Sequence, residues 1–474
     1  MKKYLKIALT ILALVLLGYF GYTHFKKTSI LLNVIHEDAE SVIKIGVHDI
    51  SKTLVLDALS SPGYYWKNTK SFKKDKKKDS IKDDGIGIDL RPYSIVFYTI
   101  KNIDNTFFTT LKIDDAEVFE KYIDKYSKEK SSVIISDAKG YKNLILEKSK
   151  LILAWNSEKI AVALTSDESS EKLKTVFEDV LIKDKLISSK DHEFIKKLSD
   201  ISDHITYINK ESLVTLNFED SEAIVDGTIY TKDVDIYKTN IIYDRLNDPS
   251  LQLVYDANFD KKENEITFTE SLEDFSFFTK NNIEVNELVN KSDGFLNIGV
   301  KGTTMQLDTI VSYEYDDNFE KVAVKTLQEK KAPKILLNLG VRKNNSLNDY
   351  LKNQGAITNN VLTSIPYYTF YAEENSNVSS FKTTKDVVET EEKNSPSFFK
   401  LDVNFNRLKE DVSIPGTDEI FGLLEALKIE ANQIKGTNQI KIKGNISGKK
   451  ENVNILSQLF FGMQKQKTEV DLDD

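Results

Sequence analysis

Residues 7–20 form a run without a charged side chain, with Lys2, Lys3 and Lys6 before it and Lys26 and Lys27 after it. Extended through residues 21–25, the run approaches the roughly 20 residues an α-helix needs to cross hydrocarbon. Tyr19, Phe20, Tyr22 and Phe25 occupy the place where a cleaved signal carries its small-x-small site. Aromatics there suit the interfacial belt of a retained span instead. The sequence thus predicts an uncleaved signal anchor, a single transmembrane helix over residues 1–27. The alternatives are a cleaved signal and a buried core helix. Three lysines and the free amine outnumber the pair beyond the run. The positive-inside rule then makes this a single-pass inner-membrane protein with residues 28–474 extracytoplasmic, in the periplasm.

No second run of that kind follows, and the mean hydropathy of -0.36 belongs to a water-soluble body. A chain of 474 residues with 40% hydrophobic side chains has material for two large domains or three small ones. With a net charge of -9 the body is expected to be repelled by nucleic acid and by anionic lipid. Cysteine is absent. That excludes disulfides, thiolate metal sites and a cysteine nucleophile, and also the acylated cysteine of a lipoprotein. Any tether must come from the peptide itself.

Apolar periodicity orders the rest. A short strand is expected over residues 41–47, then a helix with Leu54, Leu56 and Leu59 that stops at Pro62-Gly63. The charged run 67–84 reads as a solvated loop or, less simply, a basic docking patch. Strands are expected at 93–101 and 106–113, then a helix at 115–128 with Phe119, Tyr122, Ile123 and Tyr126 on one face and Asp114 or Asp115 as its cap. Four short strands precede a helix at 168–182, striped by Leu173, Val176, Phe177 and Val180, and another at 190–199. Beyond Ile205 the pattern is mostly strand. It includes a hairpin turning at 260–265 and an alternating stretch of Leu307, Val311, Tyr313 and Tyr315. A helix at 346–353 leads to a polar stretch at 373–396 read as a loop. Strands at 399–405, 427–434 and 439–447 follow, with helices near 417–426 and after Val453. Helices and hairpins in clusters predict an α+β fold, antiparallel sheets with packed helices in two bodies. The turn-rich residues 247–249 place these at 28–247 and 248–474.

The segments GIDLRPYSIVFYT, TTLKIDDAEVFEKYI and ILAWNSEKIAVAL resemble a family of uncharacterised exported or membrane-anchored proteins of Bacteroidota. GKKENVNILSQLF is similar to that family's closing turn and helix. The resemblance implies a cell-envelope setting and supplies no mechanism. Its members are often lipoproteins, and this chain, without cysteine, departs from them.

Chemistry is harder to find. His36/His48 and His192/His204 are each twelve apart beside acids, which permits a mixed His/carboxylate metal site. Exposed histidines in polar surroundings are the commoner case. Gly85-x-Gly87 lacks the third glycine of a dinucleotide motif, and no phosphate-binding loop, zinc helix or nucleophile elbow occurs. The acidic tips at 260–265 and 316–318 lack the glycine and terminal glutamate of a calcium loop. No catalytic, cofactor-binding or metal-ligating residue is assigned, and no cofactor is expected. Tyr64, Tyr65 and Trp66, directly after Pro62-Gly63, fall on no buried stripe and are the candidate partner contact. The expected function is a non-enzymatic binding or scaffold protein of the cell envelope, whose partner is an envelope protein or an apolar ligand. A carrier or sensor of a lipid or other apolar ligand is the alternative, and an envelope-polymer hydrolase the third reading.

Overall fold

The computed structural model describes residues 28–463 except 76–85, 89–93, 130–133, 137–139, 147–149, 166–169, 316–318, 413–416 and the single positions 240, 274, 364, 366, 376 and 387. The anchor expected over 1–27, the acidic tip at 316–318 and the tail after 463 lie outside the described residues. Among the described residues no helix is long and apolar enough to cross a membrane. The fold mixes helices with extensive antiparallel sheet, in two compact units, Met1–Glu219 and Asp220–Asp474.

Unit 1 contains β1 (Ala39–Ile45), α1 (Val47–Ser60), α2 (Pro62–Asp75), β2 (Ile95–Ile100), β3 (Thr106–Lys112), α3 (Ala116–Glu129), β4 (Ile134–Ser136), β5 (Lys142–Leu146), β6 (Leu151–Trp155), β7 (Lys159–Thr165), α4 (Ser170–Leu181), α5 (Glu193–Asp200), β8 (Ile205–Asn209) and β9 (Leu213–Phe218). Its strands pair antiparallel in the order β9-β8-β1-β2-β3-β7-β6-β5-β4. Both faces of the sheet are covered. Ala161 and Ala163 of β7 face a core with Leu173, Val176, Phe177 and Val180 of α4 and Phe194, Ile195 and Leu198 of α5. The alternate residues, Ile160 and Val162, face Phe119 and Ile123 of α3 together with Leu144 and Trp155. Covering on both sides explains why β6 and β7 read as nearly continuous apolar runs.

Asp115 caps α3, its Oδ1 accepting from the N–H groups of Glu117 and Val118 at 3.0 Å each. Gly87 packs against that helix start and accepts from the Asp114 N–H at 2.9 Å. With φ at +73°, Gly87 sits where a Cβ would lie 2.4 Å from the Asp115 carbonyl oxygen and 2.5 Å from the Phe119 nitrogen. Gly87→Ala is therefore expected to cost unit 1 about 1–3 kcal/mol from the left-handed backbone alone, with more from the clash. Urea denaturation of wild type and variant checks it; an unchanged midpoint refutes the packing.

Unit 2 contains β10 (Glu222–Tyr230), β11 (Ile241–Leu246), β12 (Leu251–Asp256), α6 (Lys262–Glu273), α7 (Ser276–Lys280), α8 (Val285–Lys291), β13 (Ser292–Tyr315), β14 (Lys321–Val341), α9 (Leu347–Asn353), β15 (Ile357–Thr358), β16 (Val361–Leu362), β17 (Phe370–Glu374), β18 (Val378–Lys382), β19 (Thr390–Ser395), β20 (Phe399–Asn404), α10 (Phe405–Asp411), α11 (Asp418–Leu423), β21 (Leu424–Gln433), β22 (Gln439–Gly448) and a last helix, α12, at 455–463. Its main sheet is antiparallel throughout, ordered β10-β22-β21-β20-β12-β13-β14-β18-β17-β16-β15. β11 and β19 form a separate ladder.

Four expectations change. The units divide at Glu219/Asp220 rather than at the turn 247–249, because β10 takes β22 as its ladder partner and β11 takes β19. The hairpin turning at 260–265 is not there, since its second arm is helix α6. Asn264, Phe268 and Leu272 repeat every four residues towards the core, and Glu263 and Glu265 favour the helix start. The polar stretch 373–396 holds the end of β17 and all of β18 and β19. The inward residues of β18 are Ser379 and Phe381, and the serine hydroxyl reaches Asn348 Oδ1 at 2.6 Å, so a polar side chain sits inside without loss. Finally, the charged run from Lys67 continues as helix α2 to Asp75.

Candidate functional site

Pro62 opens α2, a position where a missing N–H is no loss. That puts Tyr64, Tyr65 and Trp66 in the first turns of the helix. The Tyr65 hydroxyl donates to Oδ2 of Asp57, a buried carboxylate on α1. Tyr64 meets the Tyr65 ring edge-on with centroids 6.0 Å apart, and burial followed by the charge of Asp57 pushes its hydroxyl pKa up. The two tyrosines thus brace α2 against α1. Trp66 differs, being 67% exposed. On α1 the exposed side carries Lys52, Val55, Leu56 and Leu59, whose spacing of three, one and three places them on one helical face. Leu59 is 73% exposed. Of the three aromatics singled out from sequence, only Trp66 belongs to a surface. Its aliphatic neighbours on α1 were missed, although Ile50, Leu54, Val55, Leu56 and Leu59 cover too wide an arc for one buried stripe.

A second exposed apolar surface lies in unit 2. β13 and β14 run for 24 and 21 residues, but β12 flanks β13 only over 295–300 and β18 flanks β14 only over 336–340. Past a bulge between Val300 and Thr303, the pair continues as a two-stranded ribbon from Thr303↔Pro333 to Tyr315↔Lys321. Neither edge of this arm carries a third strand among the described residues. Proline at the departure point suits a strand that has lost its outer neighbour. Gln306 seats the root: its Nε2 donates to the carbonyls of Thr369 and Thr383 at 2.8 and 2.7 Å, and its Oε1 accepts from the Thr369 N–H at 2.9 Å. The opposite face holds Met305, Leu307, Val311, Tyr313 and, across the ribbon, Leu327, all exposed. Lys321 and Lys331 flank that row, opposed by Glu329, and the Lys321 ammonium lies 4.5 Å from the Tyr313 ring centroid. Phe319, near the turn, is 86% exposed. Tyr313 and its neighbours were read correctly as strand from their period of two; that their face meets solvent was not legible.

His36, His192 and His204 are structural. His36, only 1% exposed, stacks on Tyr98, and its Nδ1 accepts from the Asp38 N–H at 3.0 Å. Its proton therefore sits on Nε2, 3.7 Å from Asp179. His204 is buried too, accepting from the Phe218 N–H on Nδ1 and meeting Thr53 through Nε2. His192 caps α5 through Nδ1. So His36 and His204 are not the exposed histidines expected. Among the described residues no three His, Asp or Glu side chains cluster to hold a metal ion. A surface pocket of about 340 Å³ is lined by Glu265, Ile266, Thr269, Glu270, Asn286, Val289 and Asn290. That mainly polar lining is not the apolar cavity a lipid carrier needs.

Burial lowers the pKa of both His36 and His204 from 6.5, against the pull of Asp38 and Asp179 on the first and of Asp49 and Asp203 on the second. The unfolded chain takes up these protons as the pH falls through 6.5, while the folded chain takes them up only at lower pH. Stability of unit 1 is accordingly complete above that pH and declines below it, by at most about 1.4 kcal/mol per pH unit for each histidine. Urea midpoints at about pH 7.5 and about pH 5.5 test the direction, and His36→Gln should flatten the slope. A midpoint that rises on acidification contradicts it.

No family model, curated protein or solved structure matches the chain.

Proposed function

We propose that this is a membrane-tethered extracytoplasmic scaffold that holds an envelope protein on its β13–β14 arm and performs no chemistry of its own. The apolar N-terminal run and the resemblance to exported proteins of Bacteroidota support the setting. The arm carries the reading. A two-stranded ribbon is marginal in water by itself, and unpaired edges are templates for another chain. A row of five exposed apolar side chains gives such a ribbon a reason to be covered. The occupant that fits is a protein surface with an apolar strip and an acidic margin, since Lys321 and Lys331 outnumber Glu329 along the row. Main-chain pairing along an edge would add to it.

A photo-crosslinking residue at Leu307 of the full chain in cells is expected to give one discrete adduct, absent when the same residue replaces Ile242, which is exposed on β11. The purified adduct partner should then bind the purified full chain, and Leu307→Glu with Leu327→Glu should weaken that affinity by at least about tenfold. An identical adduct pattern at both positions, or an affinity indifferent to the two glutamates, defeats the reading. Turnover of an envelope polymer that a point substitution abolishes would replace the scaffold with an enzyme.

A further inference from the structure

We infer that the arm pairs with a second copy of this chain. The free edge of β13 lies antiparallel to its own copy about position 309, with Met305 opposite Tyr313 and Leu307 opposite Val311. The inference goes beyond the scaffold reading: it fills one edge of the arm and leaves the apolar face, whose side chains stand perpendicular to the sheet, to the envelope protein.

The two edges of the ribbon differ. From Thr303 to Tyr313 the β13 strand has one charged residue, Asp308, and no proline. β14 carries Lys321, Lys330 and Lys331 and meets the root at Pro333. Lysine and proline guard an edge against further pairing, and this stretch of β13 has neither. Among the described residues β13 pairs beyond Val300 with β14 alone. The unguarded edge also bears the apolar row, since Met305, Leu307, Val311 and Tyr313 all belong to β13 and are between 46% and 65% exposed.

The spacing of that row selects the occupant. Directly opposed residues of two strands share a face, so self-pairing is restricted to registers that match odd positions with odd. A two-fold axis at position 309 meets that condition and is centred on the row. Positions 305 and 313 stand four to either side, and 307 and 311 two. Each of the four residues then faces another across the axis, at the Cβ spacing of about 4.5–5.5 Å where apolar pairs stabilise a sheet. An isologous contact needs a self-complementary patch, and a row symmetric about its own midpoint is one. Charge agrees. Asp308 has Lys330 3.8 Å away, a neutral pair beside the axis, whereas pairing through β14 would lay its lysines along those of the other copy. The result is a four-stranded sheet with one apolar band in the middle and Lys321 and Lys331 of each copy on the outer margins. Such a sheet is stable in water where a lone two-stranded ribbon is marginal. A strand of another protein could take the same edge, but it would not call for a row with this symmetry.

The chain lacks cysteine, so single cysteines report on the register without background. Leu307→Cys and Val311→Cys are made separately in the full chain, purified in detergent and treated with dibromobimane, a thiol-bridging reagent short enough to join only adjacent strands. The two variants, mixed and allowed to exchange subunits, should give a covalent dimer. Neither should do so alone, because each cysteine lies about 13 Å along the strand from its own copy. Sedimentation of the wild-type full chain should show a concentration-dependent dimer. Val311→Lys, which puts a guard on the edge at an exposed position, should raise its dissociation constant at least about tenfold. If that variant loses its circular dichroism, the cysteine pair decides alone. A mixture that bridges no better than the single variants, or a wild type that stays monomeric, overturns the proposal in favour of a foreign strand or a bare edge. Because the purified chain is used by itself, loss of the dimer leaves the envelope-protein adduct standing, and loss of that adduct leaves the dimer.

Discussion

An alanine at Trp155 lowers the stability of unit 1 by about 3–5 kcal/mol, a large share of what a domain has. Trp155 is among the largest fully buried side chains and forms the floor under α3. Its ring meets Phe119 edge-on with centroids 5.9 Å apart, and its indole N–H donates to Glu120 Oε1 at 3.1 Å. Ile113, Ile123, Leu144 and Ile160 complete the cluster. Truncation removes the transfer term of the ring and leaves a cavity between an amphipathic helix and a sheet, which can close only if α3 moves. Trp155→Phe keeps most of the volume and loses the hydrogen bond, so it should cost only about 1–2 kcal/mol. Urea denaturation followed by far-UV circular dichroism measures both. Amide exchange in α3 should accelerate before exchange in α4, which packs on the other face. A loss under about 1 kcal/mol for the alanine would mean that α3 is held by something else.

Lys44→Met is the second large effect, expected at about 2–3 kcal/mol. Lys44 lies next to the last residue of β1 and is 3% exposed. Its ammonium donates to the carbonyl oxygens of Leu198 at 3.1 Å and Ile201 at 2.5 Å, at the end of α5. Those carbonyls lack partners within the helix, and a cation at a helix C-terminus also meets the negative end of its dipole. Methionine fills the space of the lysine stem but donates nothing, leaving buried oxygens unsatisfied. Exchange of α5 amides should rise first, ahead of global unfolding. A variant as stable as wild type would show that water takes over both carbonyls.

These two residues mark the boundary of what the sequence makes legible. The faces of α3 and α4 follow from Phe119 with Ile123 and from Leu173, Val176, Phe177 and Val180, because a stripe at helical spacing has one physical meaning. The burial of Lys44 does not follow, since its compensation comes from a helix more than 150 positions away. Ile266, Phe268 and Leu272 misled because the spacing of four between the last two also satisfies a period of two, and only the covering by Phe259 and Val289 decides. The arm shows a different limit. Leu307, Val311 and Tyr313 specify a strand with an apolar side, but whether that side is covered depends on what stands opposite. At the candidate contact, Tyr65 was drawn away by Asp57 while Trp66 stayed outside, a distinction that neighbouring aromatics do not carry in their order. The buried positions of His36 and His204 were likewise hidden, because partners such as Tyr98 and Asp179 for the first and Thr53 for the second lie far away in the sequence.

The pairing of β10 with β22 gives unit 2 a direction in time. The strand that leaves the ribosome first in this unit waits for the one that leaves almost last, with about 200 residues of chain between them. Unit 1 has all its described strands by Phe218 and can condense while synthesis continues. Unit 2 must keep β10 unpaired with β22 until Gln439–Gly448 has emerged, and for that interval its open strands are available to any neighbour. A chain stopped a few dozen residues short would therefore lose far more than a terminal hairpin: it would carry a finished first half and a second half whose opening strand lacks β22.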